Sequence, residues 1–162
     1  IVQAGVYGSA DAYRFFGDLA VNHRGDMVIG YTRVQPGNIV SGYPGVWVAG
    51  RHAEDPLNQL GAETAVRIST SPYVSAFPPT AIGAQRWGDY TGMASDPNGS
   101  DFWYVGQYSK AEVSGAANWG TFVGCMRMLP NNSQSGQRLT VQSDADFNTY
   151  LPLIGTALLP CR

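Results

Sequence analysis

An all-β fold, built from two antiparallel units in the manner of consecutive propeller blades and followed by an extended C-terminal tail, is what the sequence predicts. Three observations lead there. Helix formers are scarce: one Lys (Lys110) and three Glu stand among 162 residues, against 20 Gly and 10 Pro. Short runs rich in β-branched and aromatic residues alternate with Gly, Pro, Asn and Asp turn signals. The order of those runs then repeats once along the chain.

Taken in order, Phe16 to Asn22 reads as a strand and His23-Arg24-Gly25 as its turn. Asp26 to Arg33 follows as a second strand, with Val28, Ile29, Tyr31 and Thr32 in it. Pro36-Gly37-Asn38 is a turn, and Tyr43 to Arg51 a third strand around Val46-Trp47-Val48. Glu63 to Ser69 can supply a fourth, before an irregular stretch marked by Pro72, Pro78 and Pro79. The pattern restarts with Tyr90 to Ser95, the turn Asp96-Pro97-Asn98-Gly99, the aromatic run Asp101 to Ser109, and Asn118 to Met128. After Met128 a polar linker leads to the apolar patches Leu139–Val141 and Tyr150–Leu159. The expected division is therefore 1–70, 71–128, and a linker and tail over 129–162 that staples back.

The two units superpose. Leu19 to Gly25 lies over Met93 to Gly99, a shift of 74 residues, and Val46-Trp47-Val48 lies over Thr121-Phe122-Val123, a shift of 75. Such a repeat favours propeller blades, while sandwich strands would show the same alternation. Propellers close with about four to eight blades. Two units would leave unpaired edges and bare faces, so other copies of the chain, or remaining blades of one precursor, are the expected partners.

Net charge is −2 with no basic block, which excludes binding by phosphate neutralisation. No apolar run reaches the ~18 residues of a membrane helix. The first residue is Ile1 and not Met, so a processed chain is expected. Cys125 and Cys161 lack metal-ligand spacing; a single disulfide is the better expectation, two buried thiols the alternative, and a disulfide implies an oxidising compartment.

The string RWGDYTGMASDP, then DFWYVGQY and NWGTFVG, preceded by VNHRGDMVIGYTR, YPGVWVAGR and DPLNQLGAE, resembles secreted bacterial proteins with sialidase-like, Asp-box β-propellers. The resemblance spans roughly residues 16–124. It implies the last two blades of a larger propeller that is secreted or held at the cell surface. Ser95 to Phe102 departs from the Asp-box pattern, because its Asp sits one place early.

Arg86, Trp87, Asp89 and Tyr90, with Trp103, form the candidate ligand site: a guanidinium for an anion, a carboxylate for sugar hydroxyls, and rings for stacking. The alternative is an internal Arg–Asp pair locking a loop, with Trp87 as core. Asp96, Asn98, Ser100 and Asp101 could hold Ca²⁺ through oxygens, against a plain hairpin turn; no other cofactor is expected. Arg24-Gly25-Asp26 spells an integrin-type tripeptide and is read as coincidence, and His23 and His52 are expected to be solvated. Asn98 and Asn131 head N-glycosylation sequons. Sialidase-type hydrolysis would need several Arg, a Tyr nucleophile assisted by Glu, and an acid; Glu54, Glu63 and Glu112 are the only glutamates, and no motif marks them. The leading expectation is an extracellular structural or binding module. A glycoside hydrolase completed by other blades, and a carbohydrate-binding lectin, are the alternatives.

Overall fold

The computed structural model describes residues 2–34, 43–69, 71–73, 86–113, 116–129 and 139–147. These form two four-stranded antiparallel sheets, neither closed on itself. The first runs β1 (Tyr13–Val21), β2 (Met27–Val34), β3 (Gly45–Arg51), β4 (Thr64–Arg67) in sequence order, and the second β5 (Gly92–Ser95), β6 (Phe102–Val113), β7 (Ala116–Met128), β8 (Leu139–Phe147). Among the described residues no helix is long and apolar enough to cross a membrane. Residues 139–147, inside the range read as a tail, are the outer strand of the second sheet and pair with β7.

Tight turns fix both first hairpins. Gly25 and Gly99 have φ of 84° and 75°, a region that costs other residues energy. Leu19 faces Ile29 in the first sheet and Met93 faces Tyr104 in the second. Ile29 then faces Ala49, and Tyr104 faces Gly124. The units therefore repeat with a shift of 74 in the first strand and 75 in the second and third. The extra residue is Ser100, between Gly99 and Asp101.

The sheets pack face to face, and alternation decides which residues meet. Val28, Val46 and Val48 from the first sheet join Phe102, Tyr104, Tyr108, Phe122, Met126 and Met128 from the second in one buried core. Gly30 lies under the Tyr104 ring, where a Cβ would come within 2.5 Å, and Gly106 lies against Val46. Arg67 reaches in from β4, its guanidinium 4.8 Å from the Tyr108 ring centre and 5.7 Å from that of Phe122.

This packing has a direction. Moved 75 residues along, Val28, Gly30, Val46 and Val48 become Trp103, Val105, Thr121 and Val123. These side chains alternate with the core-facing set of the second sheet and so point away from the first. In a two-fold sandwich, equivalent faces would meet. Here the front of one unit meets the back of the next.

Polar bonds tie the seam between β1 and β5. A bulge after Phe15 puts Phe16 at φ 51°, unusual for a bulky residue, and turns its carbonyl toward the second sheet. That carbonyl accepts from the Thr91 hydroxyl at 2.8 Å, and the Asp18 carboxylate accepts from the Met93 N–H at 2.8 Å. At the hairpin tips the His23 N–H donates to the Gly99 carbonyl at 3.0 Å, and the Asn22 amide donates to the Ser100 carbonyl at 2.9 Å.

Candidate functional site

Two homologous turn locks sit at the hairpin tips. Asp26 precedes β2 and is 2% exposed, while Asp101 precedes β6 and is fully buried. Asp26 accepts from the Asn22 amide, Arg24, the Ala53 N–H and His52 Nδ1. Asp101 accepts from the Asn98 amide at 2.9 Å and from Arg127 at 2.7 and 2.6 Å, a two-point guanidinium–carboxylate pair. His52 and Arg127 are again 75 residues apart, so each unit sets a cation after its third strand against an Asp before its second. His52, expected in solvent, is buried because this pairing draws it under the turn. His23 is exposed beside the Gly99 carbonyl.

Hydrogen bonds from Arg127 and Asn98 hold the Asp101 carboxyl below its ordinary 3.8. At Asp26 burial pushes the carboxyl up, but the Asn22, Ala53 and Arg24 donors outweigh it and leave the group low. A carboxyl with a depressed folded pKa contributes stability above its unfolded value and loses it as pH falls through the folded one. Stability is therefore expected to be level near neutrality and to decline below about pH 4. Asp101→Asn should flatten that decline in chemical denaturation followed against pH; an unchanged acid limb would remove Asp101 as its source.

The locks also bear on the other turn readings. Asp96 accepts from the Asn98 N–H and the Trp103 indole, and Asn98 Oδ1 from the Ser100 and Asp101 N–H groups. The oxygens that a Ca²⁺ would need are thus occupied by donors, which favours the hairpin turn. Asp26, His52 and Glu54 bring one donor atom each within 4.8 Å, yet a cation there would have to displace Arg24 from Asp26. Burial of Asp26 likewise withholds the Arg24-Gly25-Asp26 tripeptide from a receptor. At the Asn98 sequon, the amide that would carry a glycan donates to Asp101.

Of the candidate ligand residues, Arg86 and Asp89 pair with each other on the surface. Trp87 packs edge-on against Tyr73, ring centres 4.6 Å apart, and Tyr90 is exposed. Gly88 abuts the Gln107 side chain on the outer face of the second sheet. Trp103 lies four residues from Gln107, about 13 Å along the strand, with its indole N–H on Asp96. The structure therefore unites Arg86 with Asp89 and sets Trp103 apart. Cys125 is buried on β7; Cys161, like Asn131, lies outside the described residues.

The outer face of the first sheet holds a site with no sequence signature. Glu63, just before β4, accepts from Arg14 of β1, from the Tyr31 hydroxyl at 2.7 Å, and pairs with Arg33 at 3.1 Å. Tyr7 closes over it, 6.0 Å from the Tyr31 ring, with the Arg14 guanidinium 5.4 Å above its own ring. Arg33 stacks on Trp47 at 4.6 Å. Burial pushes the Glu63 carboxyl up, but Arg14 and Tyr31 bonding outweighs it and keeps the group below its ordinary 4.5. Burial, then Glu63, drives the Tyr31 phenol far up, so it stays protonated.

Beside this network an apolar cleft of about 370 Å³ opens on the same face. Leu19, Met27 and Ile29 line it, between the segment Gln3–Tyr7 and Asn58–Leu60. Leu19 and Val21 are 52% and 53% exposed. The segment is held by the Ala4 N–H on Asn58 Oδ1 at 2.7 Å and by Arg51 on Gln3 at 3.3 Å. No family model, no curated protein and no solved structure matches the chain. Its chemistry must be read from the geometry itself: a saturated ionic lock, an open apolar cleft, and two sheets stacked front to back.

Proposed function

We propose that this chain is an extracellular structural or binding module, a segment of a sialidase-like β-propeller whose outer faces are completed by further sheets. The front-to-back packing of the two units carries the reading. A repeat stacked in that sense generates the same joint at both of its outer faces, whereas a two-fold sandwich uses up its apolar faces in one. The half-exposed Leu19 and Val21 beside the cleft are the kind of apolar surface that marks such contacts. A Cys125–Cys161 disulfide would persist outside the cell.

Hydroxyl-radical footprinting tests this. Met27 and Trp103 should be protected in material isolated intact from its source and become reactive once the protein is dissociated by dilution. Equal reactivity in both would overturn the reading.

A second reading, a glycan-cleaving site completed by other sheets, is favoured by the Tyr31–Glu63 hydrogen bond between two arginines. It requires Tyr31 to become accessible and to lose its proton. Turnover of a sialyl glycoside by the intact material, abolished in Tyr31→Phe, would support it, and its persistence in that variant would remove the assignment. The lectin alternative has less support, because Trp103 stands apart from Trp87 and Tyr90.

A further inference from the structure

We infer that the sheet completing this module belongs to a second copy of the same chain, joined head to tail. The outer face of β6 and β7 in one copy seats on the outer face of β1, β2 and β3 in the next. The inference rests on the reading above that the outer faces are covered by further sheets, and it names the partner.

The chain already contains this joint once. Inside the molecule the front of the first sheet (Val28, Gly30, Val46) meets the back of the second (Phe102, Tyr104, Phe122). The spare front, on the second sheet, carries Trp103, Val105 and Thr121 at the equivalent positions. The spare back, on the first sheet, carries Met27, Ile29 and Trp47. Each copy therefore holds both halves of a second joint, and its own sequence supplies a partner of the required shape.

The volumes also exchange in a compensating way. Inside, small front residues lie against large aromatic ones, with Gly30 making room for the Tyr104 ring. Across the proposed joint, Trp103 replaces Val28 where Met27 replaces Phe102, and Val105 replaces Gly30 where Ile29 replaces Tyr104. Bulk moves from back to front at both pairs, which is how packed surfaces tolerate substitution. The cleft over Leu19, Met27 and Ile29 is the space that the Trp103 ring would fill.

Because the two faces differ, the contact is heterologous and propagates until a ring closes or a filament grows. If it closes as propellers do, with about four to eight sheets, a ring holds about two to four copies.

Light scattering on the full chain tests the inference. Leu19→Asp, at a half-exposed site, disables the receiving face; Val105→Glu disables the inserting face, with Thr121→Arg as a substitute should Val105→Glu fail to fold by circular dichroism. The wild type should form oligomers, and each variant alone should fall to the 17.4 kDa mass of one chain. An equimolar mixture of the two variants should give a heterodimer and nothing larger. If either correctly folded variant assembles like the wild type, the head-to-tail joint is wrong. A wild type that stays monomeric at all concentrations also overturns it. In that case Met27 and Trp103 protected in intact source material would show a different chain providing the sheet, and their full reactivity would remove the broader reading as well.

Discussion

Replacing Glu63 by Ala should cost about 3 kcal/mol of stability, lowering the melting temperature by roughly 10 °C. The carboxylate is the anion shared by Arg14 and Arg33, whose side chains are only 11% and 12% exposed, and it accepts the Tyr31 hydroxyl. Without it two guanidiniums stay near one another in a poorly hydrated place, and a buried phenol loses its acceptor. That penalty exceeds the worth of the pair itself, because ions taken from water must be compensated where they stand. Glu63→Gln should recover part of the loss by still accepting from Tyr31. Urea unfolding of the three proteins checks this, and a loss below about 1 kcal/mol for Glu63→Ala would show the network to be open to solvent.

Gly30→Ala should be damaging for the opposite reason. A Cβ at this position falls about one ångström inside ordinary contact with the Tyr104 ring, at 2.5 Å. The ring is almost fully buried in the core and has nowhere to move. Overpacking of this kind costs about 2 kcal/mol, and Gly30→Val should cost more. Combining Gly30→Ala with Tyr104→Leu should lose less than the two single changes added together, since they share one contact. Thermal melts of the single and double variants measure this. Simple additivity would mean that the sheets do not close on one another at this point.

Much of the architecture is legible in the residues. Alternating β-branched and aromatic positions locate the first seven strands to within a few residues, and the glycines at 25 and 99 locate the hairpin tips. The shifts of 74 and 75 reappear as strand registers. β8 escapes because its apolar start, Leu139–Val141, runs into the polar Gln142 to Asp146, so alternation gives no signal; only pairing with β7 defines it.

The site is less legible. Glu63 lies 32 residues from Tyr31 and 49 from Arg14, and the strand order alone brings the three together. Spacing could not have suggested it. His52 was within reach: once Asp26 is laid over Asp101, the same register lays His52 over Arg127 and marks both as counter-ions. The cluster at Arg86 drew notice through its dense chemistry, yet the pair it contains is satisfied by its own members.

The bonds along the β1–β5 seam have a mechanical consequence. The Phe16 carbonyl and Asp18 carboxylate pin the middle of that seam, and His23 and Asn22 pin its tip, so the angle between successive sheets is clamped at more than one point. A stack assembled from such rigid wedges inherits their curvature, and its diameter is written into four hydrogen bonds inside a single chain.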